Sequence, residues 1–334
     1  MKSEPAAAVE PRTRRRPGLR VLGTVIISTV SLGVLVWVAP PSQVIDTISD
    51  MNPLWVLGAF GLELASCLSY IVVFRRFFPE PSPPVSRRVA WIAMGAGAVL
   101  PGGNFSSAAT TGWLLRKQDI SPRRLIERCG ELLCFLILFG FFVNLVAGAV
   151  LLVGIGRGPH DLEHAGGPIL VSLVVIGAAL AMMLIGRHYG ARAPRVAQSI
   201  AASLDGAWQR LFHPHWRMLG AAGFLLLDMA ALWAVCRATG HPLGVLALSL
   251  AYFIGYLASM LPVPAGLGVL DSGLAGALVL YGFSPAASVG AVLVYHAIAI
   301  WIPGLGGLVA WLPTRRQRLA EAAGSSLAEP APAG

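Results

Sequence analysis

The sequence predicts an all-α integral membrane protein, a polytopic helical bundle with two inverted repeats, each holding a Pro/Gly-broken re-entrant hairpin. Three observations carry that prediction. Hydrophobic residues make up 56% of the 334 positions and charged residues only 12%, more apolar surface than one soluble core can enclose. Apolar runs of about 20 residues, enough helix to cross about 30 Å of hydrocarbon, fall at 21–39, 54–74, 129–153, 168–186, 218–236 and 286–311, and two further stretches, 89–115 and 243–282, are interrupted by Pro and Gly. The punctuation also repeats. Pro53, Pro101 and Pro122 recur as Pro214, Pro262 and Pro285 at offsets of 161, 161 and 163 residues, with Trp55 matched by Trp216 and the Gly102-Gly103 turn by Gly266 and Gly268.

The elements follow in order from the basic residues. The net charge of +9 and pI near 10 could suggest nucleic acid, but all lysines and arginines except Arg157 and Arg237 fall in clusters that one face of a membrane can collect. That distribution is a topology signal and an attraction to anionic lipids at the cytoplasmic face, and it excludes nucleic acid as a partner. Residues 1–18 form a basic tail without a fold of its own. The 21–39 run follows Arg12, Arg14, Arg15, Arg16 and Arg20, and Pro40-Pro41 stands where a cleavage site needs small residues, so a retained signal anchor is expected.

From a cytoplasmic N-terminus the first span exits and the second, 54–74, returns. Because Arg87, Arg88, Arg116 and Lys117 flank 89–115 on both sides, that stretch enters and leaves from the cytoplasm, as a re-entrant hairpin or as two short crossings. The hairpin is favoured, since arms of a dozen residues are short for a crossing helix. Span 129–153 goes out and 168–186 comes back. The 218–236 span then runs outward, opposite to its counterpart, so the hairpin in 243–282 opens from the outside; its arms are somewhat longer than those of the first, and two full crossings are the alternative there. The last span returns to Arg315, Arg316 and Arg318, and 319–334 is a second tail. One transmembrane domain over 19–318 results, with repeat A at 53–153 and repeat B at 214–312.

Ionisable groups inside spans are expensive and mark function or packing. Glu63 and Asp228 lie within matching spans and should face the bundle interior, as a proton or head-group site or as interhelical hydrogen bonds. Asp271 belongs to the second hairpin, LPVPAGLGVLDSG, where Gly266 and Gly268 let backbone amides approach an anion. His296 in the final span is its nearest partner by type. The first hairpin, LPGGNFSSAATTGW, offers Asn104, Ser106 and Ser107, with Thr110 and Thr111 behind them, as an uncharged hydroxyl-rich lining. Glu127, Arg128 and Glu131 stand at helical spacing at a span's cytoplasmic entry, as an Arg128–Glu131 salt bridge or as a gate. His160 and His164 are four apart without a His-Glu-x-x-His pattern, and no metal or cofactor is expected. The four cysteines lack Cys-x-x-Cys spacing and read as structural thiols.

The segment LPVPAGLGVLDSGLAGALVLYGFSPAASVGAVLVYHAIAIWIPGLGG resembles the transmembrane module of the lysylphosphatidylglycerol synthase family, a flippase-like family. Residues 53–128 resemble its first half, including the Pro-Gly turn and the Glu127-Arg128 pair with Glu131 following. Ala265 replaces the family's Gly, Asp271 its Glu and His296 its Arg, and Phe105, Ser106 and Ser107 stand where it has Gly-Glu and a following Arg. The resemblance spans roughly 20–312. It implies a non-enzymatic membrane protein, because the family's bifunctional members carry a soluble aminoacyltransferase domain for which this chain has no room.

Together these readings predict a bacterial inner-membrane translocase for a phospholipid or lipid-linked glycan, holding an anionic head group near the midplane, with both termini cytoplasmic. The alternative is a non-transporting scaffold or regulator that binds an envelope enzyme, and homo-oligomerisation is open.

Overall fold

The computed structural model describes residues 33, 39–100, 102–116, 120–155, 160–192, 194–213, 215–241, 243–259 and 269–327. Among them lie eleven α-helices and no strand: α1 (Pro41–Ser49), α2 (Pro53–Phe77), α3 (Pro83–Val99), α4 (Asn104–Leu115), α5 (Pro122–Leu152), α6 (Leu162–Tyr189), α7 (Arg195–Phe212), α8 (Leu219–Ala238), α9 (Val245–Ser259), α10 (Val269–Leu280) and α11 (Pro285–Leu327). Five segments are long and apolar enough to cross a membrane: Pro53–Phe77, Pro122–Leu152, Leu162–Tyr189, Trp216–Ala238 and Pro285–Pro313. They match five of the six expected runs. The sixth, 21–39, lies outside the described residues apart from Gly33 and Ala39.

Proline opens α1, α2, α3 and α5, where its fixed φ suits the first turn and its missing N–H costs nothing. In α2 the Asn52 side chain also caps the helix, accepting from the Leu54 amide at 3.0 Å. The outward face of α2 carries Leu54, Leu57, Phe60, Leu64 and Leu68, while Ala59, Glu63, Ser66, Cys67 and Tyr70 point inward. This is the reverse of a soluble helix. Lipid supplies no hydrophobic drive for association, so close packing and interhelical hydrogen bonds must hold the bundle.

Both are visible where α2 meets α8. The Ser66 hydroxyl donates to the Phe224 carbonyl at 2.7 Å, the Asn52 amide donates to the Ala238 carbonyl at 3.1 Å, and Trp55 meets Trp233 edge-on at 5.5 Å between ring centroids. Low numbers in α2 thus meet high numbers in α8, so these two counterpart helices run antiparallel. A Cβ on Gly220 would stand 2.5 Å from the Ser69 carbonyl oxygen, which shows how closely the backbones approach.

The remaining contacts exchange partners between the halves. Helix α3 packs on α11, with Gly95 against Pro303 and Gly307, whereas α9 packs on α5, with Phe253 against Gly140. On the other flank, α5 is tied to α6 by Asn144, whose side-chain amide donates to the Pro168 carbonyl at 3.1 Å and to the Ser172 hydroxyl at 2.8 Å.

The broken stretches form pairs of short helices. The first pair has 17 and 12 residues, short of the five long spans, and the described parts of the second have 15 and 12. How long the arms of the second hairpin run depends on residues 260–268, outside the described ones. Its turn, with Pro262, Ala265, Gly266 and Gly268, lies outside them. In the first turn Gly102 and Gly103 have φ of +99° and +48°, and Gly102→Val should cost about 1–2 kcal/mol from left-handed strain, read as a lower melting temperature in detergent.

Two further differences from the sequence reading concern the basic end. Residues 187–217, expected only as a basic connection, contain α7, an amphipathic helix that seats Ala201, Leu204 and Ala207 against α5 and α6. Helix α11 continues to Leu327, past the expected tail boundary at 318, because RQRLAEAAGSSL holds good helix formers and no proline.

Candidate functional site

A cavity of about 540 Å³ opens between the two halves, bounded by the Leu100–Phe105 turn, α2, α5, α8, α9 and α11. Its polar groups come from both the N-terminal and the C-terminal parts of the chain. From α2 comes Glu63 and from α8 Asp228, each brought inward by the small-residue contact between those helices. The Glu63 carboxyl lies within hydrogen-bonding reach of the Asp228 carboxyl. Asp228 is held by two phenols: the Tyr252 hydroxyl of α9 donates to one oxygen and the Tyr295 hydroxyl of α11 donates to the other at 2.7 Å. Four helices therefore converge on one carboxylate.

A second polar pair sits on the same side of the bundle. Asp271 and His296 are buried and hydrogen-bonded to each other through Nδ1, and His296 lines the cavity beside Tyr295. The expected neighbour by type is thus the neighbour in space.

Helix α4 begins at the Gly102-Gly103 turn and aims its N-terminus at the cavity, where Gly102, Gly103, Asn104, Phe105 and Ser107 form part of the wall. First-turn amides with the helix dipole behind them favour a negative group. Asn104 reaches the Tyr256 hydroxyl and Ser107 the Tyr70 hydroxyl, so the hairpin is braced against α9 and α2. Ser106 is not part of the cavity wall; its side chain lies 3.1 Å from where a Cβ on Gly102 would sit. Of the other expected positions, Gly266 and Gly268 lie outside the described residues.

The charged positions at the start of α5 are arranged differently. Arg128 pairs with Glu80 in the loop before α3, not with Glu131. The correction has a simple cause: the loop brings a carboxylate into the space that Arg128 faces. Glu131 instead accepts from Arg210 of α7 at 2.9 and 2.5 Å, and that guanidinium also lies 4.7 Å from the Phe77 ring centre. Glu127 pairs with Arg123 one turn back. None of the three lines the cavity.

These pairs yield two expected outcomes. Arg210→Ala leaves Glu131, whose side chain is 15% exposed, without its cation, and should destabilise the protein by about 1–3 kcal/mol, with Arg210→Lys recovering part of the loss in thermal melts. Glu80 is outside the spans. Partial burial works to raise its carboxyl, but the Arg128 hydrogen bond, a backbone hydrogen bond and the charges of Arg128 and Arg124 outweigh it and hold it below the ordinary 4.5. A depressed folded value contributes stability above the unfolded carboxylate range and loses it as pH falls through the folded value. The melting difference between the wild type and Glu80→Gln should therefore shrink between about pH 7 and about pH 3.5.

Sequence reasoning did not single out Tyr70, Tyr252, Tyr256 or Tyr295. The available signal was Tyr252 and Tyr256 one turn apart in LSLAYFIGYLAS and Tyr295 directly before His296. At the far side, the histidines near α6 serve local structure. Asp161 caps that helix and meets His164 Nδ1 at 2.6 Å, while His160 Nδ1 contacts the Leu151 carbonyl at 2.8 Å.

These features define a multi-pass helical membrane protein in which pairs of short helices and two antiparallel spans border a largely apolar cavity that holds Glu63, Asp228 and His296. The sequence profile described as the lysylphosphatidylglycerol synthase TM region matches residues 20–307, and the chain belongs to that family. Among curated proteins there is no significant match. Family membership points to a membrane-lipid-related function.

Proposed function

We propose that this protein moves a phospholipid, or a lipid with a similar head group, between leaflets, with the head group held in the cavity between the two halves. The observation that carries the proposal is the joining of both repeats at one carboxylate: Asp228 is reached from α2, α9 and α11 while the first hairpin turn closes the same space. Antiparallel counterparts meeting at a polar centre suit alternating access, in which one half rocks against the other around a fixed site.

The chemistry of the lining refines the substrate. The sequence alone suggests an anionic head group. Among the described residues, however, the wall holds Glu63, Asp228 and the Asp271-paired His296 and no lysine or arginine. A phosphate fits the amides at the start of α4, and an amine fits the carboxyl groups and the surrounding tyrosine rings. The reading is therefore a head group with both a phosphate and an amine. Acyl chains remain in the surrounding lipid.

The arginine-bearing end, with Arg75, Arg128, Arg187, Arg210 and Arg217, is assigned to the cytoplasmic side of a bacterial inner membrane, which puts the C-terminal basic cluster there also. Anionic lipids are its partners at that face.

Leaflet-resolved transport in proteoliposomes tests the proposal. The purified chain should equilibrate a fluorescent amine-bearing phospholipid between leaflets faster than empty vesicles do, and a rate equal to empty vesicles across amine-bearing, anionic and neutral lipids would refute it.

A further inference from the structure

The hydrogen bonds around the two facing carboxyl groups are unequal. Asp228 receives a phenolic donor on each oxygen, from Tyr252 and from Tyr295 at 2.7 Å. Glu63 has no comparable support. Among the described residues its Oε1 receives only the Cys67 thiol at 3.7 Å, and its Oε2 is fully buried with no donor directed at it. Glu63 is itself 5% exposed. A bare, buried carboxylate oxygen opposite a second carboxylate is the most costly arrangement available to such a pair.

One proton removes the conflict. On the Glu63 carboxyl it turns an unsupported acceptor into a donor, within hydrogen-bonding reach of the carboxyl group already organised to accept. Among the described residues the titratable groups facing this point are Cys67 on the same helix, Asp228 on α8, Tyr252 on α9 and Tyr295 on α11, with Asp271 and His296 farther along the same side. None of the first four is a cation that could neutralise Glu63 in place of a proton.

We propose that Glu63 is a proton-binding site that is loaded when the cavity is empty and unloaded when an amine enters. This deepens the function proposed above and rests on it for the identity of the incoming group. The balance is simple. A neutral Glu63 and an ionised Asp228 meet an ammonium group; the ammonium takes the space between them, the O–H bond of Glu63 breaks, and the proton leaves to water. Two carboxylates then flank one ammonium, so total charge is unchanged. Substrate and proton compete for the same carboxyl pair, and lipid movement becomes linked to proton movement in the opposite sense.

Two measurements on the full-length purified protein test this. Infrared difference spectroscopy should show the carbonyl band of a protonated carboxylic acid in the lipid-free protein, lost in Glu63→Gln and weakened in the wild type as short-chain phosphatidylethanolamine is added. In lightly buffered detergent, a pH indicator should report proton release in proportion to bound phosphatidylethanolamine and none with short-chain phosphatidylglycerol. Absence of the band in the lipid-free wild type, or its persistence at full strength in Glu63→Gln, would overturn the assignment. Binding of phosphatidylethanolamine without proton release would overturn the exchange while leaving the proposed transport intact. If neither lipid binds, the transport reading fails and the infrared band alone still decides whether Glu63 holds the proton. Should Glu63→Gln not fold, the lipid-dependent change of the wild-type band decides the same question.

Discussion

Asp228→Asn is expected to lower lipid transfer by at least about tenfold, the factor that corresponds to about 1.4 kcal/mol and to the low end of what a hydrogen bond to a charged group contributes. The size follows from the number of elements this one side chain joins. Two tyrosine hydroxyls from α9 and α11 donate to it, and Glu63 of α2 faces it. An asparagine keeps the volume but offers an amide that cannot accept where one tyrosine must donate. The amine of the proposed substrate would also lose the fixed charge that attracts it. The check is the initial rate of fluorescent phospholipid transfer in proteoliposomes, normalised to folded protein by gel filtration. Transfer within about twofold of wild type would place the carboxylate outside the transport path.

Gly220→Val is expected to have the largest effect on folding, about 3 kcal/mol or more, since overpacking here pushes on backbone that cannot yield. A Cβ at this position would stand 2.5 Å from the Ser69 carbonyl oxygen and 2.7 Å from the Val73 amide nitrogen, both in the adjoining turns of α2. The helices would have to separate, and the Ser66 hydrogen bond to Phe224 and the approach of Glu63 to Asp228 would go with them. Gly58→Val on the exposed side of α2 is the control, because no described neighbour lies within 4 Å of its added carbon. Thermal melts in detergent should separate the two variants clearly. Equal melting temperatures would mean that α2 and α8 are not held by this contact.

The spans and their broken partners were legible because composition, arginine clusters and prolines act locally, and each leaves its mark at its own position. The cavity was legible only in part. Glu63 and Asp228 stood out as charges inside apolar runs, and the 161-residue offset puts the counterpart of Glu63 at Phe224, one helical turn from Asp228 and on the same face. That they meet depends on how deeply α2 and α8 cross, which glycine and serine contacts decide and no single-helix pattern reveals. The tyrosines were missed for a related reason. In LSLAYFIGYLAS an aromatic ring reads as packing, and its hydroxyl gains a role only when another helix supplies the carboxylate. Helix α7 was obscured by the arginines around it, which mark the membrane face so strongly that the apolar spacing of Ala201, Leu204 and Ala207 went unread. The Arg128–Glu131 pairing failed because short spacing along a helix competes with partners from a loop and from α7.

The exchange of α3 onto α11 and of α9 onto α5 also governs how the protein is made. The ribosome delivers α3 early and α11 last, so the Gly95 face waits, without the surface it is shaped for, through most of translation. A nascent chain stopped short of Pro285 has every residue of its first hairpin and nowhere to seat it. Quality control in the membrane therefore sees a half-built lipid-exposed groove until the final helix arrives, and nonsense mutations late in the gene should be as damaging as early ones.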